Sequence, residues 1–496
     1  MVVRFKTDDV KIHLAAAGAG KTETAMAEIV EALQYYRPDE IAFVTYTRKG
    51  VETGIERALK VNRDFTPDDL KHFKTLHSIC FREAGLGAKN IITRKDLNIF
   101  NQAFGFRLTG TEMFATCSED DKLLQRYDAV RSQATSGIFL ERAYDVQRYT
   151  RLVNAYEAFK KGHNLVDFYD CLEKYLEVGK PLAGVKVFVC DECQDITPLQ
   201  WKCIMRLSEN AVKVRCLGDD YQSVYTHAGA DPSLLVEMAQ HYETVKHETS
   251  YRIPKAVYRL AHRVTTMLSN KVDKDYKPYQ DKEGFVEQCP DRQILAHKVK
   301  NDLKKNGYKP GRWMFLFRTN CFIDGMVDIL ESMGIPYTTS RGFCIEKKEL
   351  DLIDRYYKFR RLGYGTKKAR DSFMLRYGIQ SFEDSFTESS LIPTTRRYYM
   401  QELVDLWGVQ TLKEMAHGEP FLLLSTIHRV KGGEADYTAL FLDATRMVAD
   451  NILMSVDEEL RILYVGITRC REGLYVVPSR SRYGLDRLLE AALESE

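Results

Sequence analysis

The chain has 496 residues, 44% apolar and 29% charged, and its 72 lysines and arginines against 70 acidic residues leave a net charge of +2. This describes an ordinary globular protein long enough for more than two compact domains, and the charge balance leaves any nucleic-acid binding to local grooves. No apolar run reaches membrane-span length, the N-terminus carries no signal-peptide core, and eleven scattered cysteines with one unmatched CxxC (Cys190, Cys193) argue against zinc, so a cytoplasmic protein with no membrane partner is expected.

The first element in the chain is a short strand (Val10, Ile12, Leu14) that runs into LAAAGAGKT, residues 14–22, with an amphipathic helix from Ala25 to Leu33. Strand, small-residue loop and helix are the context a phosphate-binding loop requires. Gly18, Ala19 and Gly20 let the backbone curl its N–H groups inward at a polyphosphate, beside the positive end of the helix. Lys21 is placed to reach the β- and γ-phosphates and Thr22 to ligate Mg²⁺. Ala15 holds the position where the strict pattern has glycine. By itself this stretch indicates a nucleoside triphosphatase and no more.

Ile41–Thr47 is a second apolar strand, and Phe73–Ser78 repeats its ending in hydroxyl residues and a histidine. Thr45, Tyr46, Thr47, Thr75 and His77 suit either a ligand groove at the strand ends or plain strand caps and turns. From Ile79 to about Gly184 apolar residues recur at helical spacing, notably in Asp120–Arg131 and Val146–Lys161, which predicts a helical insertion whose Tyr and Arg residues lie on solvated faces. Val185–Val189 then leads into Asp191 and Glu192. Paired carboxylates at the end of an apolar strand need compensating charge, and Mg²⁺ with a nucleotide supplies it: Asp191 would hold the metal and Glu192 would deprotonate the attacking water. Val214–Leu217 ends at Gln222, whose amide can sense a γ-phosphate; Ser250, Tyr251 and Arg252 follow, then Pro254 ahead of a helix.

A second sheet-like unit is expected from about Gly284, with Trp313–Phe317 leading into Arg318 and further patterns at Tyr337–Phe343 and Lys348–Leu362. Residues 341–397 hold 13 Lys/Arg against 8 Asp/Glu, an excess that suits a duplex-contacting surface or an ordinary solvated face. Phe421–Ile427 precedes His428 and Glu434, and Glu458–Arg469 reads as a helix ending in an exposed arginine, the arrangement of an arginine finger.

AGAGKT, TYTRK, TLHS, DECQD, GDDYQSVY, SYR, STIHRVKGGEAD and LYVGITR stand in the order and spacing of the UvrD/Rep-like superfamily 1 helicases, and the chain closely resembles that family over nearly its whole length. GDDYQSVY separates this branch from superfamily 1 helicases of opposite direction. The resemblance implies an α/β fold of two RecA-like P-loop motor domains with parallel sheets: 1–78 with 185–272, interrupted by a helical insertion at 79–184, and 273–362 with 419–496, interrupted by a small insertion at 363–418. It implies ATP and Mg²⁺ as ligands, with Gln222, Arg252 and Arg469 on the γ-phosphate, Tyr251 against adenine and Glu434 near the ribose. For single-stranded DNA it implies a track of Tyr46, Thr47, His77, Tyr225, Arg318, Thr426 and His428, with Thr75 and His227 beside them. Base stacking on such aromatics tolerates any sequence, as a translocating motor requires.

The family's adenine-reading glutamine upstream of the loop is missing, since Gln34 is the first glutamine, and Glu23 replaces a common arginine; looser base selectivity is expected. His227 and Ala228 stand where the family has tryptophan and arginine, which removes one stacking platform. The function implied is an ATP-dependent 3′→5′ DNA helicase and translocase acting at single-/double-strand junctions, with a replication, repair or nuclease partner protein. The alternative is a translocase with little unwinding of its own. A binding subunit with a switch-like ATP site is disfavoured by the presence of both Glu192 and Arg469.

Overall fold

Near-continuous runs of Val, Ile, Leu and Phe make strands that are buried on both faces, the mark of parallel sheets covered by helices. The computed structural model, which describes residues 2–61, 65–110, 118–133, 143–279, 281–362, 367–379 and 385–494, has two such sheets. They lie in separate units: Met1–Arg252 with Met267–Gln280 and Asp457–Tyr464, and Ile253–Thr266 with Asp281–Val456 and Val465–Glu496.

The first sheet consists of β1 (Val10–Ala15), β2 (Ile41–Thr45), β3 (Phe73–Thr75), β4 (Val187–Cys190), β5 (Lys213–Gly218) and β6 (Glu243–His247), in the order β3-β2-β4-β5-β1-β6. Every pairing is parallel, with Ile12 opposite Cys216 and Phe43 opposite Val189. The carboxyl ends of all these strands therefore share one edge, where an open α/β sheet binds its ligands. Strand β6 (ETVKH) is half-exposed and polar, which is why no apolar run announces it. Two short strands beyond it, β7 (Thr249–Ser250) and β8 (Lys277–Pro278), pair in parallel apart from the main sheet.

The helical insertion between β3 and β4 has a small core of its own, built on Phe100, Phe106, Leu152, Tyr156 and Phe159. The expectation that its Tyr and Arg residues lie on solvated faces is corrected here. Arg131 is buried against Asp167 (3.0 Å), Asp170 and Glu173, and Lys160 is buried against Glu157 (2.8 Å), Asp167 and Asp170 (2.6 Å each). Asp167 and Asp170 form the capping box of the helix Phe168–Val178, so its N-terminus gathers the acids and the two cations neutralise them. Apolar spacing shows where a helix is oily and is blind to a charge turned inward onto a partner.

The second sheet comprises β9 (Phe285–Gln288), β10 (Trp313–Phe317), β11 (Thr338–Thr339), β12 (Gly342–Phe343), β13 (Leu422–Thr426), β14 (Ala435–Phe441) and β15 (Cys470–Val477), ordered β12-β11-β13-β10-β14-β15-β9. All pairs are parallel except the β11/β12 hairpin. Phe373, Tyr377, Tyr399, Met400 and Leu403 from the stretch 367–403 join the same core as Phe315 and Leu330, so these residues are packed onto the unit. Several cations of the basic region 341–397 already meet acids: Arg341 with Asp324 (2.9 Å), Arg355 with Asp351 (2.9 Å), Lys358 with Asp354 (2.8 Å) and Arg396 with Glu349 (3.1 Å). Residues 363–366 and 380–384 of that region lie outside the described residues. Among the described residues no helix is long and apolar enough to cross a membrane.

His72, just before β3, is buried with Arg82 Nη2 3.2 Å from its Nδ1. Burial, aided by Arg82 and Lys71, pushes it down to about 4 from the ordinary 6.5. A base with a depressed folded pKa lets the unfolded chain bind more protons, so stability is lost as pH falls from about 6.5 to about 4, by up to about 3 kcal/mol from this group. Thermal unfolding of wild type and His72→Gln across that window should show a shallower pH slope in the variant.

Candidate active site

The phosphate loop leaves β1 at Ala15 and enters the helix Lys21–Ala32. Gly18 and Gly20 both sit at φ 74°, in the left-handed region that favours glycine. A Cβ on Gly18 would come within 2.5 Å of Arg252 Cβ, so the close approach of the Ser-Tyr-Arg segment also demands glycine. That segment is fastened to the loop: Ser250 Oγ donates to Ala17 O (2.6 Å) and Tyr251 N donates to Gly18 O (2.9 Å). From the other side Ala17 N donates to Tyr464 Oη (3.1 Å), a contact from the LYVGITR motif that sequence reasoning did not foresee. Gly20 is the N-cap and makes no side-chain capping bond, which leaves the first-turn N–H groups to an anion.

Lys21 Nζ bonds Glu192 and lies 3.9 Å from Asp191. Burial opposes its charge, but Glu192 and Asp191 outweigh burial and hold the ammonium well above its usual range. Burial pushes Asp191 up to about 7, against the pull of Lys21 and with Glu192 adding to the rise. A buried carboxylate this poorly compensated, 3.9 Å from the ammonium of the residue before Thr22, suits a hard divalent cation such as Mg²⁺. Glu192 is at φ 60°, one of two non-glycine residues at positive φ among the described residues, and this turn aims its carboxylate at Lys21.

Gln222 Nε2 donates to Asp219 Oδ2 (2.5 Å) in the turn after β5. Arg252 is half-buried beside the loop. Tyr251 is 62% exposed, with the ring of Tyr279, 65% exposed, 4.9 Å away. Tyr279 N donates to Ser250 O (2.8 Å), so both rings hang from the strand tied to the phosphate loop; Tyr279 carried no motif that would have marked it. Glu23 pairs with Arg57 (2.9 Å), so a guanidinium still flanks this loop although the sequence lacks the usual arginine.

Along the same sheet edge Tyr46 and Tyr225 stand with ring centroids 5.8 Å apart. Thr47 and Thr75 do local work: Gly50 N donates to Thr47 Oγ1 (3.1 Å) and Ser78 N to Thr75 Oγ1 (3.4 Å), the capping alternative left open by the sequence. His77 lies in the first turn of the helix Leu76–Glu83, edge-on to Phe168, and burial pushes it down to about 4, so it is neutral at physiological pH. The side chain of His227 lies outside the described residues.

In the second unit the expected residues divide between the two edges of the sheet. Arg318 and His428 follow β10 and β13, whose last residues Phe317 and Thr426 are paired, so Arg318, Thr426 and His428 gather at the carboxyl edge. Glu434 and Arg469 immediately precede β14 and β15, at the amino edge, where Ala435 N donates to Arg469 O (2.9 Å). Arg471 pairs with Glu434 (3.2 Å). The expectation of an exposed Arg469 at a helix end is corrected. The helix Val456–Ile467 stops two residues earlier, and Arg469 is 1% exposed. Its guanidinium donates from Nε to Val465 O (3.0 Å), one of the last carbonyls of that helix, which have no helical amide to accept from, and from Nη1 to Gly433 O (3.3 Å) in the turn before β14.

Comparison with known proteins places these features in a family. Residues 3–243 match the UvrD/REP helicase N-terminal domain and residues 347–481 the UvrD-like helicase C-terminal domain, together about three-quarters of the chain. The Bacillus subtilis (strain 168) protein YjcD is 26% identical over 367 residues, 68% of this chain and 48% of that protein. The ATP-dependent DNA helicase UvrD2 of Mycobacterium tuberculosis (strain H37Rv) is 22% identical over 540 residues, 95% of this chain and 76% of that protein. The ATP-dependent DNA helicase Rep of Escherichia coli (strain K12) is 27% identical over 277 residues, 50% of this chain and 40% of that protein. The chain spans about half the length of the curated relatives it matches first.

Stacking on an exposed tyrosine does not distinguish purines, and a ring of this kind contributes about 1–3 kcal/mol per base. Tyr251→Ala should therefore weaken equilibrium binding of ATP and of GTP by similar factors, on the order of 5- to 100-fold, with the wild type binding both. A titration in which only ATP binding suffers would assign base reading to another residue.

Proposed function

We propose, proceeding from the fact that the chain belongs to the UvrD/Rep-like family of superfamily 1 helicases, that it couples ATP hydrolysis to 3′→5′ movement along single-stranded DNA and to unwinding at single-/double-strand junctions. One observation carries the reading. The phosphate loop, the Asp191–Glu192 pair, Gln222 and the Tyr46/Tyr225 rings all stand at the carboxyl edge of one parallel sheet, so a ligand that orders one loop acts on its neighbours.

On this reading the incoming β- and γ-phosphates draw Lys21 away from Glu192. Released from Lys21, that carboxylate then accepts a proton from the attacking water, while Lys21 stays on phosphate. Thr22 and Asp191 would hold Mg²⁺, which would neutralise charge on the transferred group. Gly18, Ala19 and Gly20 present backbone amides to the phosphates, Gln222 and Arg252 meet the γ-phosphate, Tyr251 takes the base and Glu434 the ribose. Arg469 exchanges its helix carbonyls for charge that develops during transfer. Tyr46, Thr47, Thr75, His77, Tyr225 and His227, with Arg318, Thr426 and His428 from the second unit, form the DNA track. A DNA substrate of this kind puts the work in the cytoplasm, alongside replication, repair or nuclease proteins.

Turnover should rise with saturating single-stranded oligonucleotide, and strands should be displaced from 3′-tailed but not 5′-tailed duplexes. Turnover indifferent to oligonucleotide would overturn the coupling; the opposite tail preference would overturn the direction.

Arg469→Ala should lower kcat by about 10³-fold or more and leave ATP affinity within a few-fold, since an arginine finger acts mainly in the transition state. A variant within a few-fold of wild type in kcat, with only a lower unfolding temperature, would reduce Arg469 to the helix cap seen here.

A further inference from the structure

The turn after β4 is folded so that Gln194, wholly buried, lies beneath the carboxylate pair. Its side chain is used at both ends. Nε2 donates to Glu192 Oε2 (2.5 Å) and to Asp195 Oδ2 (3.2 Å), and Oε1 accepts Asp219 N (2.9 Å). A backbone N–H can only donate and a carboxylate can only accept, so the amide has one orientation that satisfies all three contacts. Ser223 Oγ donates to the backbone carbonyl of Gln194 (2.9 Å), tying the turn after β5 to the same residue. Gly218 allows the approach: a Cβ there would lie 3.0 Å from Gln194 Oε1 and 2.6 Å from Leu235 Cδ2.

The frame continues through Asp219. Its Oδ2 accepts Gln222 Nε2 (2.5 Å) and its Oδ1 accepts Lys274 Nζ (2.9 Å). Lys274 has no exposed side-chain surface; it also bonds Asp220 Oδ1, and its ammonium lies 3.7 Å from the ring centroid of Tyr221. Its own backbone N donates to Tyr221 Oη (3.2 Å), and Val272 N donates to Asp220 Oδ2 (2.9 Å), so the 272–274 segment is locked to GDDYQ from both sides. Asp219 and Asp220 are two adjacent buried carboxyl groups, and the Lys274 ammonium that bonds both compensates the cost of burying them. Burial works against the charge on Lys274, but Asp219 and Asp220 raise it well above its ordinary range.

We propose that Gln194 and Lys274 are positioning residues that hold the proton acceptor Glu192 and the γ-phosphate contact Gln222 in one hydrogen-bonded frame. This rests on the hydrolytic reading above. Lys274 fixes Asp219, and Asp219 in turn takes an amide hydrogen of Gln222 and so sets the direction of that side chain. Gln194 fixes the spacing between that turn and Glu192. Neither residue reaches the nucleotide, and Lys274 lies outside every motif that marks the site in the sequence.

The test measures kcat, ATP affinity and oligonucleotide stimulation for Gln194→Met and Lys274→Met, each also made in a Gln222→Ala background. The expected result is a kcat loss on the order of 10- to 100-fold in each single variant, with ATP affinity within about threefold. In the Gln222→Ala background Lys274→Met should add less than about a twofold further loss, because its effect passes through Gln222. Lys274→Arg, which keeps the charge, should recover part of the loss. If a methionine variant does not fold, Gln194→Asn replaces Gln194→Met and must show the same loss in kcat alone, and Lys274→Arg replaces Lys274→Met and must show a smaller loss confined to kcat. Folded variants within twofold of wild type, additive losses, or equal losses in kcat and affinity would overturn the proposal. Absence of turnover in the wild type would instead overturn the hydrolytic reading.

Discussion

Buried carboxylates set the terms of the first unit. Strand β4, apolar throughout, and strand β5, apolar but for Lys213 and Arg215, deliver acid pairs, Asp191 with Glu192 and Asp219 with Asp220, at an edge where water cannot solvate them fully. Burying acids in this way costs free energy unless a cation meets them. Each pair is met by one lysine from a distant part of the chain, Lys21 after β1 and Lys274 before β8. The two lysines differ in a way that matters. Lys21 keeps 15% of its side chain exposed, where a phosphate can compete for it, so its pairing is exchangeable. Lys274 is sealed, so its pairing is permanent and can serve as a reference for the moving parts.

The phosphate loop is held by the same economy of contacts. Two left-handed glycines shape it, Ser250 and Tyr251 fasten it on one side, and Tyr464 accepts from Ala17 on the other. Motifs far apart in sequence thus touch one short loop, and a change in any of them is felt there. The rings of Tyr251 and Tyr279 hang from the same attachment, which ties their position to that of the loop.

The second unit uses both edges of its sheet. Residues suited to a nucleic-acid strand follow β10 and β13 at the carboxyl edge, while Glu434 and Arg469 precede β14 and β15 at the amino edge. A parallel sheet keeps the two groups a strand length apart, while β10, paired along its whole length with Tyr437–Phe441 of β14, connects them. In the helical insertion of the first unit, by contrast, the charged centre is structural: Arg131 and Lys160 neutralise the acids that cap one helix.

Much of this was legible in the chain itself. Alternating apolar runs and glycine-rich or acidic strand ends located β1, β2, β4, β5, β10 and β13, and with them Gly18, Lys21, Asp191, Glu192 and Gln222, because a parallel sheet puts functional residues directly after apolar strands. Strand β6 was hidden by its polar edge position, and β14 and β15 by polar opening residues. Burial of Arg469, Arg131 and Lys160 was not readable either, since a cation's surroundings depend on carbonyls and acids that the fold brings from elsewhere. The same holds for Gln194, Lys274, Tyr464 and Tyr279. Sequence alone determined which side chains could do phosphate chemistry, through local spacing; the tertiary structure alone decided which distant partners hold them, because hydrogen bonds and buried charges are satisfied across strands and not along the chain.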